Sequence, residues 1–184
     1  MTSARHAAAA RRSYSKVTDA APTHEQLVDL VAAAGRVADH SSLRPWRLIE
    51  LRGDARVRLG EAIAATESRG GEHRAPSTKP LRAPLLIAIV SSRRHSEKVP
   101  GWEQDAVASG VAHVLSLLLD EAGWGVIWRT GHYTRSKTVE RMHGLGKKEG
   151  LLGWLYVGGK PEQRDGKGEG APKLVDAERL ITVL

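Results

Sequence analysis

Cysteine is absent from this chain of 184 residues. Without thiols the protein can form no disulfide, no cysteine-ligated zinc site and no iron–sulfur cluster, and it has no thiol nucleophile. The length is sufficient for a hydrophobic core, so we expect one domain over residues 1–184. Within it, residues from about 160 to 184 form a polar linker and a C-terminal arm.

Long apolar runs are also missing. The longest spans residues 83–90, far below the roughly 20 residues that a membrane-spanning helix needs. The alanines at 7–10 are followed directly by Arg11 and Arg12, whereas a secretory signal places its basic residues first. We therefore expect no membrane span, no export signal and a cytoplasmic location.

The charge is unbalanced towards the basic side. Lys and Arg number 28 against 21 Asp and Glu, which gives a formal net charge of +7. This excess permits binding to nucleic acid, but the basic residues are scattered and no run of five occurs. A basic surface also suits phosphate-bearing small molecules, which attract the same charges. Nucleic-acid binding therefore stays a lesser alternative.

Hydrophobic periodicity predicts helices and strands in alternation, which is typical of an α/β or α+β protein. The second helix opens at Thr23, with Gln26 placed for a capping box. The predicted helices cover 3–12, 23–35, 54–67, 102–122 and 136–143, and the predicted strands cover 46–51, 85–90, 124–128 and 151–157. Residues 36–45 are predicted to form a loop, and residues 67–80 a mobile one.

Two helices have predicted inward faces, and the chain has an unusual end. The inner positions are Val57, Leu59, Ile63 and Ala64 in one helix, and Val107, Val111, Val114, Leu115, Leu118 and Ala122 in the other. After residue 158 the chain becomes polar and glycine-rich, and then ends in apolar residues at 181–184. An apolar end on such an arm is expected to dock on its own body or on a partner subunit.

Common catalytic motifs are missing. The sequence contains no Gly-x-Ser-x-Gly elbow, no Walker A motif and no Gly-x-Gly-x-x-Gly between a strand and a helix. Its eight histidines are far apart, and its carboxylates form no cluster of the kind that two-carboxylate hydrolases use. We therefore expect no metal site and name no catalytic acid or base.

Three segments remain that could bind an anionic, flat ligand. Arg11, Arg12 and Ser13 combine two guanidinium groups with a hydroxyl, which suits a phosphate, although, taken alone, a helix end with favourable cations explains them better. Arg36 and His40 flank a polar loop. The segment 123–131 is a strand with glycines at both ends, which allows a ligand close to the backbone or simply packs tryptophans in the core.

The order and spacing of these segments resemble the FMN-dependent nitroreductase family, above all its short NAD(P)H nitroreductases. The resemblance runs from about residue 11 to residue 160. It is carried by Arg-Arg-Ser-Tyr-Ser-Lys at 11–16, Asp-His at 39–40 before Ser42, Pro-Trp at 45–46, Lys-Val-Pro-x-Trp-Glu-Gln at 98–104 and Ile-Trp-Arg-Thr-Gly at 127–131.

The resemblance implies an α+β fold, built as an α/β sandwich with a central mixed sheet flanked by helices. It also implies a homodimer whose C-terminal arms are exchanged between subunits, with FMN at the subunit interface. By likeness, the FMN contacts are Arg11, Arg12 and Ser13 at the phosphate and ribityl end, Arg36 and His40 from the other subunit, and Trp128, Arg129 and Thr130 from the central strand.

The implied activity is transfer of a hydride from NAD(P)H through bound flavin to a nitroaromatic, a quinone or a similar small acceptor. A flavin-binding store or sensor with little turnover is the alternative. The chain departs from the family at Ser15, where a basic residue is usual and Lys16 is displaced by one, and at Arg44, where Gln is common. Phe is absent, so aromatic stacking on a substrate would fall to Trp or Tyr.

Overall fold

The computed structural model describes residues 3–68, 74–162 and 175–184. Helices and strands alternate in the predicted order. They are α1 (Ala4–Ala10), α2 (His24–Ala34), β1 (Trp46–Leu51), α3 (Asp54–Glu67), β2 (Leu85–Ser92), α4 (Gly101–Glu121), β3 (Trp124–Arg129), α5 (Lys137–Met142) and β4 (Glu149–Gly159). In these ranges no helix is long and apolar enough to cross a membrane.

The local signals in the sequence explain where several elements begin and end. Thr23 caps α2 by accepting a bond from the Gln26 backbone nitrogen at 3.3 Å, and Gln26 Oε1 accepts one from the Thr23 nitrogen at 2.9 Å. This reciprocal pair satisfies two amide groups that the first turn would otherwise leave unbonded. The C-terminal end of α4 is also marked in the sequence. The helix stops before Gly123, whose φ of +91° suits a glycine that follows a helix.

The four strands form one sheet in the order β1-β2-β4-β3, and every neighbouring pair is antiparallel. The α+β class is confirmed, but the described sheet is antiparallel throughout rather than mixed. The connection from β2 to β3 crosses over the position that β4 later fills, so β2 and β3 run parallel to each other on either side of β4. The order also puts β3 at an edge, so the prediction that Trp128 to Thr130 belong to a central strand is wrong.

Helices cover both faces of the sheet. On one face α2 and α4 pack against alternate residues of β2, with Leu85, Ile87 and Ile89 fully buried. On the other face α3 and α5 pack against the intervening residues, Leu86, Ala88 and Val90. Both faces of β2 are therefore in a dry core, which explains its unbroken apolar sequence.

Two predicted inner faces need correction. On α3, Leu59, Ile63 and Ala64 are buried, but Val57, in the first turn of the helix, is 40% exposed. On α4 the sheet-facing stripe is Gln104, Ala108, Val111, Ala112, Leu115 and Leu119. Val107, Val114 and Leu118 lie beside this stripe, half-buried, and Ala122 is exposed.

The predicted mobile loop at 67–80 lies partly outside the described residues. Its described end is ordered into a 3₁₀ turn, Lys79–Arg82, whose Pro80 is buried. The predicted loop at 36–45 contains a second 3₁₀ turn, His40–Ser42. At the C-terminus, residues 175–184 include the turn Ala177–Leu180 and are exposed along their whole length.

Candidate functional site

A cleft of about 250 Å³ opens at the end of β3, on the α3 side of the sheet. We call it the β3 cleft. Its lining combines cations, hydroxyl groups and aromatic rings: Ile63, Lys79, Arg82, Arg129, Thr130, Tyr133, Trp154 and Tyr156. Such a lining suits a ligand that has both a flat apolar part and negative charge.

Lys79 and Tyr133 form one wall of the β3 cleft through a polar chain. Lys79 Nζ donates to Tyr133 Oη at 2.6 Å, and Tyr133 in turn donates a short hydrogen bond to Glu67. The bond with Tyr133 raises the pKa of Lys79, and the charge of Glu67 adds to the effect. The same tyrosine lowers the pKa of the Glu67 carboxyl. At neutral pH the wall therefore presents a protonated ammonium group whose position is fixed by a tyrosine.

Arg129 forms the floor of the β3 cleft. Its guanidinium carbon lies 5.4 Å from the centre of the Tyr156 ring, within the range of a cation–π contact. Its Nε is buried and has no hydrogen-bond partner within the described part of the chain. A buried guanidinium nitrogen without an acceptor is costly, so this atom marks a position where a ligand acceptor would be stabilising.

Trp128 points to the opposite face of the sheet from Arg129, because successive strand residues alternate. Its ring packs edge-on against His113 of α4, with the ring centres 5.0 Å apart. Its Nε1 is buried and, like the Arg129 Nε, has no acceptor among the described residues. The cleft thus contains Arg129 and Thr130, whereas Trp128 supports it from the core side.

Gly153 of β4 allows β3 to end where it does. Its φ is +127°, and a Cβ built on it would lie 2.5 Å from the Arg129 carbonyl oxygen and 2.7 Å from Trp128 Nε1. The position falls at a bulge, since Ile89 opposes Gly153 while Val90 opposes Leu151. Bulges of this kind commonly redirect a strand beside a functional site.

The N-terminal Arg-Arg-Ser segment lies between α1 and the edge strand. The Tyr14 nitrogen bonds to the Val126 carbonyl at 3.0 Å, and the Thr18 nitrogen to the Gly159 carbonyl at 2.9 Å. Gly159 pairs with Trp124, so Thr18 lies at the level of the first residue of β3, while Tyr14 lies at the level of Val126. Residues 14–18 therefore cross the sheet in the direction opposite to β3. Arg11 and Arg12 are half-buried and Ser13 is exposed. The chain therefore enters this crossing from the Arg129 end of β3.

Arg36 and His40 lie elsewhere in the same chain. Arg36 is exposed just beyond α2, and His40 is exposed with its Nδ1 3.4 Å from Glu103 Oε2. His40 borders a second cleft of about 420 Å³, the α4 cleft, which is lined by Val37, Ala38, His40, Val99, Trp102, Glu103, Ala106, Val107 and Gly110. A single chain does not bring His40 to the β3 cleft.

The loop before β1 has an unusual backbone. Ser41, Ser42 and Arg44 all have left-handed φ values of 63°, 51° and 46°. Residues other than glycine seldom adopt this region, and strain of this kind tends to gather at functional sites. Asp39 stabilises the turn by accepting a bond from the Arg44 nitrogen at 2.7 Å. Arg44, the departure from the family pattern, therefore occupies a strained position next to His40.

The sequence analysis does not predict three residues of the β3 cleft, Lys79, Arg82 and Tyr133. The first two fall at the end of a polar stretch that was predicted to be mobile, and Tyr133 follows the glycine that ends the strand segment. One signal was present: two cations flank Pro80 directly before a buried strand, and proline restricts the backbone there. Within the described ranges, no group of three or more His, Asp or Glu side chains is arranged to hold a metal.

The chain matches a known protein family over most of its length. The model of the nitroreductase family matches residues 8–159. YdjA of Escherichia coli strain K12, whose name assigns it to the NAD(P)H nitroreductases, is 35% identical over 153 residues, which cover 80% of this chain and 83% of that protein. A Haemophilus influenzae protein with the same type of name is 27% identical over 95% of both chains.

Solved structures share the fold. A nitroreductase-like family protein from Bacillus cereus superimposes with a TM-score of 0.81 at 19% identity, covering 100% of this chain and 97% of that one. The FMN and NADPH-dependent nitroreductase NfnB from Sphigopyxis sp. strain HMH gives a TM-score of 0.72 at 21% identity, with coverage of 100% and 99%. At these identities the likeness concerns the fold.

Proposed function

The chain belongs to the nitroreductase family, and on that premise we propose that it is an FMN-dependent oxidoreductase that passes a hydride from NAD(P)H to a small acceptor. Nitroaromatics and quinones are the acceptor classes we propose. The relatives are named for NAD(P)H, and a neighbour of the same fold is named for both FMN and NADPH. The observation that carries the proposal is the buried, unpartnered Arg129 Nε in a cleft that also contains Lys79 and Thr130.

The residues of the β3 cleft fit FMN in chemical character. A flat ring needs an apolar slot with close backbone, which Tyr156, Trp154 and the end of β3 provide. The polar edge of such a ring needs donors, and Arg129 Nε is a donor without an acceptor. When bound, FMN supplies the hydride chemistry, which no protein side chain can perform.

We propose that Arg11, Arg12 and Ser13 hold the phosphate. Guanidinium groups and a hydroxyl donate several charge-assisted hydrogen bonds to a phosphate, and each contributes about 1.5–3 kcal/mol. The chain approaches β3 from the end where Arg129 lies, and the β3 cleft opens at that same end. Arg11, Arg12 and Ser13 would then hold the phosphate of a flavin whose ring lies in the β3 cleft.

Lys79 is proposed to stabilise negative charge on the reduced ring. Its hydrogen bond to Tyr133 raises its pKa, so the ammonium keeps its proton at neutral pH. A fixed cation aimed at developing charge acts without reorganisation at the moment of reaction. Tyr133 orients this lysine and Glu67 orients Tyr133, so both are positioning residues in the proposal.

We propose a homodimer with FMN at the subunit interface, to which Arg36 and His40 contribute from the second chain. The α4 cleft supports this, because Trp102 on its rim is 70% exposed and most of its lining is apolar. The C-terminal residues give further support, since Ile181, Val183 and Leu184 are all exposed in the isolated chain. An arm exchanged between subunits would bury them.

Titration with FMN and with riboflavin tests the cofactor assignment. Riboflavin has the same ring and lacks the phosphate, so the difference in affinity isolates the phosphate contacts. From the energy of charged hydrogen bonds we expect FMN to bind at least about tenfold more tightly. Equal affinities would refute the assignment to Arg11, Arg12 and Ser13, and no binding of either flavin would refute the proposed function.

A further inference from the structure

A third cleft, of about 420 Å³, lies at the end of the sheet where β2 stops and β4 begins. We call it the basic cleft. Its lining contains five cationic side chains and two carboxylates. The lining residues are Ser91, Arg93, Arg94, Asp105, Arg135, Lys147, Lys148, Glu149, Gly150 and Leu152. None of these residues belongs to the β3 cleft or the α4 cleft.

Both carboxylates of the basic cleft are already engaged. Asp105 accepts two bonds from the Arg93 guanidinium and one from the Ser91 hydroxyl. Glu149 accepts from Arg47, which lies outside the cleft, at 2.6 and 2.8 Å, and from the Gly146 nitrogen at 2.9 Å. Neither carboxylate has an unused charge that could neutralise the remaining cations.

Three of the other cations have no carboxylate partner. Arg94, Lys147 and Lys148 form no ion pair with any residue that the structure describes. Arg135 donates to the Leu151 carbonyl at 3.0 Å, and it shares the charge of the Asp105 carboxylate with Arg93. Four like charges around one concavity repel each other, and a multivalent anion would remove that repulsion.

The backbone under these cations is held in place. The Arg93 nitrogen bonds to the Lys148 carbonyl at 3.1 Å, and the Arg94 nitrogen to Gln104 Oε1 at 2.7 Å. Gln104 is buried and also donates to the Arg94 and Val99 carbonyls, both at 3.0 Å. The cations therefore extend from an ordered frame, which reduces the entropy that binding would cost.

We propose that the basic cleft binds a diphosphate group, either free or carried on a nucleotide, at a site separate from the flavin. Three unpaired cations, together with an Arg135 that shares one carboxylate with Arg93, match the charge of a diphosphate better than that of a single phosphate. The volume lies within the range of small-molecule sites. The site goes beyond the proposed redox function and does not depend on it.

The β3 cleft and the basic cleft lie on opposite faces of the sheet and share one short segment. Thr130 and Tyr133 line the β3 cleft, and Arg135 at the end of the 3₁₀ turn His132–Arg135 lines the basic cleft. The two clefts have no lining residue in common, so we expect each to bind its ligand independently of the other.

Calorimetric titration of the full-length protein with pyrophosphate tests this site. It is run at about 0.15 M salt, where nonspecific attraction is screened, with and without saturating FMN. We expect one site per chain and the same affinity in both states. The paired variant Lys147→Ala/Lys148→Ala should bind at least about tenfold more weakly. The control Arg58→Ala/Arg141→Ala removes two exposed charges outside the cleft and should leave the affinity unchanged.

Four results would overturn the proposal: no binding by the wild type, equal weakening by both paired variants, loss of binding when FMN is present, or binding of a short DNA duplex at this cleft in place of pyrophosphate. The third result would assign pyrophosphate to the flavin phosphate position.

Titration with ADP and AMP distinguishes the source of the diphosphate. Tighter binding of ADP than of pyrophosphate supports a nucleotide, equal binding supports the free anion, and AMP should bind weakly in either case.

Discussion

Gly153→Ala should damage both the stability of the protein and its flavin site. The new methyl group would lie 2.5 Å from the Arg129 carbonyl oxygen, 2.7 Å from Trp128 Nε1 and 3.0 Å from Thr130 Cγ2. The first two distances are shorter than the contacts that Cβ atoms make in proteins. The nearest atom belongs to the backbone, which cannot rotate away. The end of β3 must therefore move.

The cost has two parts. A φ of +127° is unfavourable for alanine, at about 1–3 kcal/mol, and overpacking adds about 1–3 kcal/mol. Some relaxation will reduce the sum, so we expect a loss of about 2–4 kcal/mol of unfolding free energy. Because Arg129 and Thr130 move with the strand, we also expect FMN affinity to fall at least about tenfold.

Gly150→Ala is the matched control in the same strand. A Cβ at Gly150 meets no atom within 4 Å, and its φ is not in the left-handed region. We expect a change within about 0.5 kcal/mol. Urea denaturation measures stability, and flavin fluorescence measures affinity. If Gly153→Ala and Gly150→Ala unfolded at the same urea concentration and bound FMN equally, the account of how β4 positions Arg129 would be refuted.

Three further predictions concern the phosphate clamp, an ion pair and the arm. Arg11→Ala with Ser13→Ala should weaken FMN retention at least about tenfold in equilibrium dialysis, and unchanged retention would remove these residues from the site. Arg47 lowers the pKa of Glu149 from 4.5 to about 2, so the pair stabilises the fold above pH 4.5 and this contribution is lost as the pH falls towards 2. Glu149→Gln should cost about 1–2 kcal/mol at pH 7 and almost nothing at pH 2, by urea denaturation, and an equal cost at both would contradict it. Deleting residues 172–184 should loosen the dimer in sedimentation, whereas an equally tight dimer would exclude the exchanged arm.

The helices and strands could be predicted because their signals are local. The capping pair of Thr23 and Gln26, the alternation of apolar residues and the glycine after α4 act within a few residues of the chain. The bounds of β1 and α3 agree with the prediction. Val57 was misplaced because a valine satisfies the helical period on either side of the stripe, and only packing decides which side faces the core.

The position of β3 and the wall of the β3 cleft could not be predicted in the same way. Strand order depends on long-range pairing, which no segment specifies alone, so an edge strand and a central strand look alike in the sequence. Lys79 and Tyr133 are 54 residues apart and meet only after folding. Arg129 and Thr130 could be proposed from the sequence because the motif at 127–131 is one continuous segment.

We propose that this chain moves electrons from NAD(P)H through a bound flavin, and an anaerobic reduction experiment tests this proposal. The protein is saturated with FMN, freed of excess flavin and mixed with NADPH or NADH while the flavin absorbance is followed. We expect the flavin band to bleach with the nucleotide and to return when a quinone or a nitroaromatic is added. A flavin that stays oxidised with both nucleotides would contradict the claim, and the chain would then be a flavin-binding protein without this activity.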